Sequence, residues 1–250
     1  MRRTIHILLM IFSASLLCLR ESNAQEQGPL PPQSISVGLN SDAFSGLELG
    51  YLQPVTMFSL PSCYYVKLNV PLLSSIKQKK LDTWEIKLGT TQELYGKNRF
   101  ILLSGFYLFS IKHTQSLGTF LPAGFNLTLT PAYRTKNGYL GLQTSYNQVL
   151  FTYIRHSEYV KESFREIYDA DNRLLDIKPR NGFYGFTGSH LSFGLEGMHI
   201  FSGRMSICYD LGLTDYLSRY TGLFNSMMFG QVPFYANIQF NYNIRKNENR

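Results

Sequence analysis

A histidine and a serine stand two residues apart at His190 and Ser192. On a β-strand, side chains two apart point to the same face, so this histidine could act as base for this serine as nucleophile. The nearest candidate for a third member is Glu196. A second pair is Asp169 and Asp171, two carboxylates flanking one residue. A calcium loop beginning at Asp169 would need an oxygen ligand at its fifth position, where Arg173 stands. The pair therefore reads as turn chemistry in a solvated loop. A third set is larger: Glu48, Lys67, Glu85, Lys87, Glu196 and Asp210, with Gln239. Each occupies the polar phase of a segment that alternates apolar and polar residues. Four acids and two lysines on one enclosed face need partners, because unpaired buried charge is costly. Lys67 and Lys87 are the expected counter-ions. The set would form either an internal ion-pair network or a narrow polar passage with a weak preference for cations. Catalysis is not the expected use of these residues, and no cofactor or metal motif is present.

The elements that carry these residues are strands. Ile35, Val37 and Leu39 alternate with Ser36, Gly38 and Asn40. Glu48 lies between Leu47 and Leu49, and Lys67 between Val66 and Leu68. Trp84, Ile86 and Leu88 enclose Glu85 and Lys87. Phe125, Leu127 and Leu129 form another apolar row, as do Leu191, Phe193 and Leu195 around Ser192. Ile207, Tyr209, Leu211 and Leu213 flank Cys208 and Asp210. The last strand is the longest run: Phe234, Ala236, Ile238, Phe240, Tyr242 and Ile244 on one face, Tyr235, Asn237, Gln239, Asn241 and Asn243 on the other. A period of two marks sheet with one apolar face. Residues 100–112 are apolar on both faces and 139–153 are mixed, which brings the count to about ten strands, with 8–12 as the range.

The chain has 250 residues and a formal net charge of +7. Its start is a leader: Arg2 and Arg3, an apolar run over 5–19, then Ser22 and Ala24 as the small residues of a cleavage site. Cleavage is expected after Ala24. Cys18 as a lipoprotein cysteine fits less well, because bulky Leu17 precedes it. The leader removes three arginines and one glutamate, leaving a mild, dispersed positive excess with no basic run of the kind that binds nucleic acid. Charged residues make up 16 % of the chain and aromatics 14 %. Soluble domains carry nearer ~25 % charge. An exported, charge-poor chain without a long apolar segment has one spanning option, a closed barrel. Cys63 and Cys208, on strands far apart around such a barrel, are expected to stay unpaired.

Connections sort by length. Short turns are expected at 95–98, 136–138 and 202–203, with a short link at 56–61 and a first link at 41–44. Long connections are expected at 72–80, 113–122, 155–183 and 215–231. Short and long alternate, so all tight turns would fall at one end of the barrel, as in transmembrane barrels. The loop 155–183 reads as a hairpin of 164–169 with 173–178, or else as a helix with Val160, Phe164, Ile167 and Tyr168 on one face. Pro131 predicts a bulge or an early strand end. Tyr51, Trp84, Tyr133, Tyr139 and Tyr242 are expected as aromatics at the two membrane interfaces.

With its alternating end Phe240-x-Tyr242-x-Ile244, the chain over 34–244 resembles the small outer-membrane β-barrel proteins of Gram-negative bacteria as a class. The resemblance implies an all-β, antiparallel up-and-down transmembrane barrel at 34–245, a flexible lead at 25–33 and a polar tail at 246–250. It also implies outer-membrane lipid and the barrel-assembly machinery as partners, the latter read through the last strand, and a porin-like role in the cell envelope. His190-Leu191-Ser192-Phe193-Gly194 is similar to the His-x-Ser-Asn-Gly motif of outer-membrane phospholipase A and, more loosely, to the His-x-Ser of lipid A deacylases. In those enzymes the pair faces lipid, whereas Leu191, Phe193 and Leu195 here push His190 and Ser192 inward. Ten strands with acidic loops also resemble omptin proteases, but their Asp-x-His is absent. The sequence therefore predicts a non-catalytic barrel that contacts a ligand, partner or small solute. A barrel-borne lipid hydrolase and a soluble exported β-barrel binder are the alternatives.

Overall fold

A computed structural model describes residues 33–40, 46–71, 83–115, 118–160, 162, 181–202, 204–216 and 234–244. They form ten strands: β1 Ser34–Asn40, β2 Gly46–Met57, β3 Leu60–Pro71, β4 Trp84–Lys97, β5 Phe100–Gln115, β6 Gly118–Thr135, β7 Gly138–His156, β8 Gly182–Ser202, β9 Met205–Tyr216 and β10 Phe234–Asn243. Each pairs antiparallel with its neighbour in sequence, and β10 closes on β1, with Val37 opposite Phe240. The closed ring leaves no unpaired edge, so backbone polar groups are satisfied within the wall.

Alternation decides which face each side chain takes. Ile35, Val37, Leu39, Leu49, Val66, Leu68, Leu88, Leu108, Leu195, Leu213, Ile238 and Phe240 are exposed on the outside. Ser34, Ser36, Asn40, Glu48, Asn69, Glu85, Lys87, Asn126, Ser145, Asn147, Ser192, Gln239 and Asn241 are buried inside. This is the reverse of a water-soluble domain, whose buried positions are mainly apolar. Outward charges in the strands sit at their ends: Lys112, Arg155 and Asp215 toward one rim, Lys97 toward the other. Between them the outer face carries no charged side chain and is mainly apolar.

The two rims differ. At one, β2 and β3 are joined through Phe58 and Ser59, both at positive φ (52° and 64°), and β4 and β5 through Asn98 and Arg99, with Asn98 at 56°. Residues 136–137 and 203–204 make the other two links of this rim. The left-handed Phe58–Ser59 pair suits the twist of a two-residue hairpin. This turn rim also carries the start of β1 and the end of β10, where Ile244 N–H donates to Gln33 O at 2.9 Å.

Several expectations need correction. The turn at 95–98 lies further on, because β4 runs to Lys97 after a bulge between Glu93 and Tyr95. Residues 113–122 are not a long loop. His113 pairs with Phe120 and Thr114 with Thr119, which leaves only 116–117 between β5 and β6. The ladder continues because Ile111, Phe120 and Ile154 turn apolar groups inward there and are buried. Not every connection at the far rim is therefore long. Pro131 marks neither bulge nor strand end: β6 passes through it to Thr135 with its register to β7 unchanged on either side. The irregularity lies instead at Ala123/Gly124, opposite Leu150, and it explains the mixed faces of 139–153. The hairpin expected at 164–178, and Asp169 and Asp171 with it, lie outside the described residues. A helical turn does begin at Glu158, capped by the Ser157 hydroxyl, which accepts from Val160 N–H at 3.3 Å.

Candidate functional site

The inward row of each strand brings the sequence-predicted charges into the lumen. Glu48 on β2 and Lys67 on β3 pair at 3.1 Å. Lys67 also donates to Gln239 Oε1 at 3.2 Å, and Gln239 Nε2 donates to Ser36 Oγ at 2.7 Å and Glu48 Oε1 at 3.2 Å. Asn40 completes the Glu48 carboxylate at 3.0 Å. Four consecutive strands around the β10/β1 closure are thereby tied together from inside. Lys87 reaches Glu85 on its own strand at 3.5 Å, and Asn69 donates to the same carboxylate at 3.3 Å. Both expected lysine counter-ions thus have carboxylate partners.

Glu196 on β8 is held differently. Thr130 donates to Oε2 at 2.6 Å, Gln143 to Oε2 at 3.1 Å and Tyr139 to Oε1 at 2.9 Å. These donors come from β6 and β7 and are neutral. Asp210 is the cross-strand partner of Glu196, so two carboxylates stand side by side on the β8/β9 wall.

These groups line a cavity of about 200 Å³ in the middle of the lumen, together with Tyr65 and Tyr107. Glu48, Lys67, Lys87, Glu196, Asp210 and Gln239 all border it; Glu85 does not. Glycines facing inward create the room. A Cβ on Gly89 would lie 2.5 Å from Tyr107 Cβ and 2.6 Å from Tyr65 Cζ; one on Gly194 or Gly212 would lie 2.7 or 2.6 Å from the Tyr235 hydroxyl. The tyrosine rings lie flat against bare backbone instead of projecting across the barrel. Lys67 Nζ sits 5.3 Å from the Tyr65 ring centre and Lys87 Nζ 5.6 Å from that of Tyr107, within cation–π range.

Below the cavity, toward the turn rim, apolar side chains join buried polar ones such as Ser34, Ser62, Asn241 and Asn243 in the lumen. Ile101, Leu103, Ala132, Tyr139 and Met198 pack as one buried cluster, with Cys208 against it. Leu52, Leu60, Cys63 and Leu94 are buried at the same end. Ile101 is 0 % exposed and Leu103 2 %, so solvent does not reach these side chains. Beside it, Arg134 and Glu93 form an inward ion pair at 2.7 Å. The interior toward this rim is therefore part apolar and part polar. The strand 100–112, apolar on both faces, supplies Ile101 and Leu103 to the floor. Cys63 and Cys208 are both free.

Of the expected interface aromatics, four face out. Tyr51, Tyr133 and Tyr242 are exposed near the turn rim, and their hydroxyls accept from Gln33 at 2.6 Å, Arg99 at 2.9 Å and Arg204 at 3.4 Å respectively. Trp84 takes the outward phase at the opposite end of β4. Tyr139 is a correction. It is buried in the lumen on Glu196, because β7 starts at Gly138 and its odd-numbered positions point inward. Toward the loop rim, Phe183 packs outside the wall edge-on to Phe151 and tilted against Tyr153, at 6.0 and 5.0 Å between ring centres.

His190 and Ser192 both take the inward phase of β8. Ser192 is buried, and its hydroxyl lies 3.0 Å from that of Thr214. A serine held by a threonine inside the lumen is poorly placed to attack a membrane lipid. Among the described residues, no group of three His, Cys, Asp or Glu could hold a metal ion. The sequence did not reveal the roles of Thr130, Gln143, Tyr139 and Arg134, which depend on strands distant in sequence. The inward parity of each was readable once the neighbouring turn was located.

No protein-family profile matches the sequence, and no curated protein matches it. Among solved structures, the toluene transporter TodX of Pseudomonas putida is similar over 87 % of this chain and 69 % of that one, at 10 % identity and a TM-score of 0.28. The barrel assignment rests on the strand pairing given above.

Proposed function

We propose that the chain is an integral outer-membrane barrel without catalytic activity, whose lumen is a closed-floored chamber for a small polar solute. One observation carries this reading: a mainly apolar outer face, with charge only at its rims, encloses a charged and hydrogen-bonded cavity. In water such a face would drive aggregation; in a bilayer it replaces lipid contacts. The tyrosines tied to Gln33, Arg99 and Arg204 suit the level of lipid head groups. Export would follow from the leader, with cleavage after Ala24, and the outer membrane lipids would be the first partner. The barrel-assembly machinery would read β10 through Phe240, Tyr242 and Ile244, all exposed on the outer face.

Fractionation of expressing cells tests the proposal. The protein is expected in the outer-membrane fraction, released only by detergent, with unboiled samples migrating differently from boiled ones and a mature N-terminus at Gln25. Recovery in the soluble periplasm without detergent would sink it.

A further inference from the structure

The longest strands outrun a bilayer. β5 and β8 each carry an exposed aromatic beside a turn, Phe100 and Phe201. At roughly 3.4 Å per residue and a strand tilt of roughly 40°, Lys112 on β5 stands about 30 Å above that rim and Phe183 on β8 about 45 Å. The apolar band of a membrane barrel is only ~25 Å tall. In the bilayer proposed above, Lys112 lies at head-group level and Phe183 roughly 20 Å beyond the hydrocarbon.

The wall at these heights has a definite chemistry. Lys112 pairs with Trp84 across β4 and β5, and both take the outward phase. Higher up, Phe183 packs against Phe151 and Tyr153, and Arg155 follows on β7, outward and exposed. Phe183 is 74 % exposed. An aromatic cluster this bare, above the lipid tails, marks a binding surface. β5, β6 and β7 contain no acid, and the one acid of β8, Glu196, borders the internal cavity. The next acid along the chain, Glu158, lies past the end of β7. The surface is thus aromatic and positive, and it complements an anion. Its lower edge is continuous with the lipid-facing wall, so a molecule rooted in the outer leaflet reaches it by rising along β5–β8.

From this placement we infer that the outward face of upper β5–β8 binds the head group of an anionic glycolipid. The acyl chains lie on the apolar wall, and the anionic group nearest them meets Lys112. The sugar rings rise against Phe151, Tyr153 and Phe183, with Arg155 at a second anionic group further out. The inference rests on the outer-membrane reading and names the lipid which that reading leaves open. Sugar rings present C–H faces that pack on aromatic rings while their hydroxyls stay hydrated. Ammonium and guanidinium groups make their strong hydrogen bonds to phosphate and carboxylate oxygens. A phospholipid offers the charge but ends at the level of Lys112. A neutral glycolipid offers the sugars without the charge.

The test is lipid retention. The mature barrel, folded in detergent, is incubated with short-core lipopolysaccharide, phosphatidylglycerol or digalactosyl diglyceride, then captured, washed and analysed for bound lipid by mass spectrometry. Lipopolysaccharide is expected to be retained at least about tenfold more than either comparison lipid. Tyr153→Ser with Phe183→Ser, and Lys112→Gln with Arg155→Gln, should each lower its retention about tenfold. Phe201→Ser, at the turn rim, should retain it like the parent. Heat-modifiable migration checks folding; Phe183→Ser alone or Arg155→Gln alone replaces a double variant that fails to fold. Equal retention of phosphatidylglycerol would be a plain charge effect, and equal retention of the galactolipid a plain sugar effect; either overturns the inference. So does retention unchanged in both double variants, or no retention of lipopolysaccharide at all, which would leave the patch to a protein partner. A barrel that fractionates with the outer membrane yet gives one of these results overturns this inference alone. A protein that leaves the membrane fraction without detergent overturns the functional reading beneath it.

Discussion

Asp210 and Leu211 are neighbours in the chain that face opposite media. Leu211 is 36 % exposed on the outer wall, and Asp210 borders the internal cavity. Leu211→Arg should cost about 2–4 kcal/mol of folding stability in lipid, or block insertion. Asp210→Asn, one position away, should leave insertion nearly unchanged; equal damage in urea titrations of vesicle-bound protein would show the faces to be wrongly assigned. Gly89 gives a second residue-scale contrast. A methyl there meets backbone and ring atoms on three sides, whereas at Gly185 the nearest atom is Leu150 O at 4.0 Å. Gly89→Ala should destabilise by about 1–3 kcal/mol as an overpacked site, and Gly185→Ala should be close to neutral. Arg134→Met would leave the buried Glu93 carboxylate without its cation, at a cost of about 3–5 kcal/mol. Adding Glu93→Gln to that variant should recover most of the loss in the same titration. At this scale the charges were legible because each stood in the polar phase of a clear alternation. Tyr139 was misread because it adjoins a turn, where one position more or less reverses the face. The donors around Glu196 were not legible at all, because Thr130 and Gln143 reach it from β6 and β7.

Strand identity could be read directly from periodicity, and so could the outward apolar rows of β1 and β10, though not their pairing. Strand length could not. β5 and β6 run on through residues that looked like a loop because Pro122 and the polar His113 and Thr114 interrupt the pattern. There the inward apolar residues Phe120 and Ile154 hold the ladder, a contact between strands that no local pattern encodes. Pro131 misled in the opposite direction: the ladder to β7 resumes in register on both sides of it. For β10 the element itself makes a prediction. Removing residues 245–250 leaves its ladders to β1 and β9 intact, so assembly into vesicles should proceed at the parent's rate. Phe240→Asp puts a charge in the outer belt next to Val37 and Ile207, and should slow or abolish assembly in the same assay.

For the whole barrel, the floor decides whether it conducts. The cluster around Ile101 and Met198 packs into the lumen beneath the cavity. Reconstituted protein is therefore expected to be electrically silent in planar bilayers. Ile101→Ala with Met198→Ala thins that plug and should produce measurable current in barrels that still show heat-modifiable migration. Steady conductance from the parent protein would mean that the floor opens. The choice between a through-pore and a filled lumen was out of reach in the sequence, because both use the same alternation. The difference lies in which inward positions share a level, and the register fixes that.

The wall is not of even height. β1 has 7 residues and β10 has 10, while β7 has 19 and β8 has 21. At roughly 3.4 Å per residue, the shortest strand measures about 24 Å along its own axis, and less along the membrane normal once tilted. A hydrophobic sleeve that is short on one flank and long on the other mismatches any flat bilayer. In the bilayer proposed above, the lipid would have to pinch inward beside β1, or the cylinder lean until its low side is submerged. Acyl-chain length thereby becomes a lever on the molecule's posture: short-chain hosts should seat it upright, and long-chain hosts should tip it toward the β10/β1 seam.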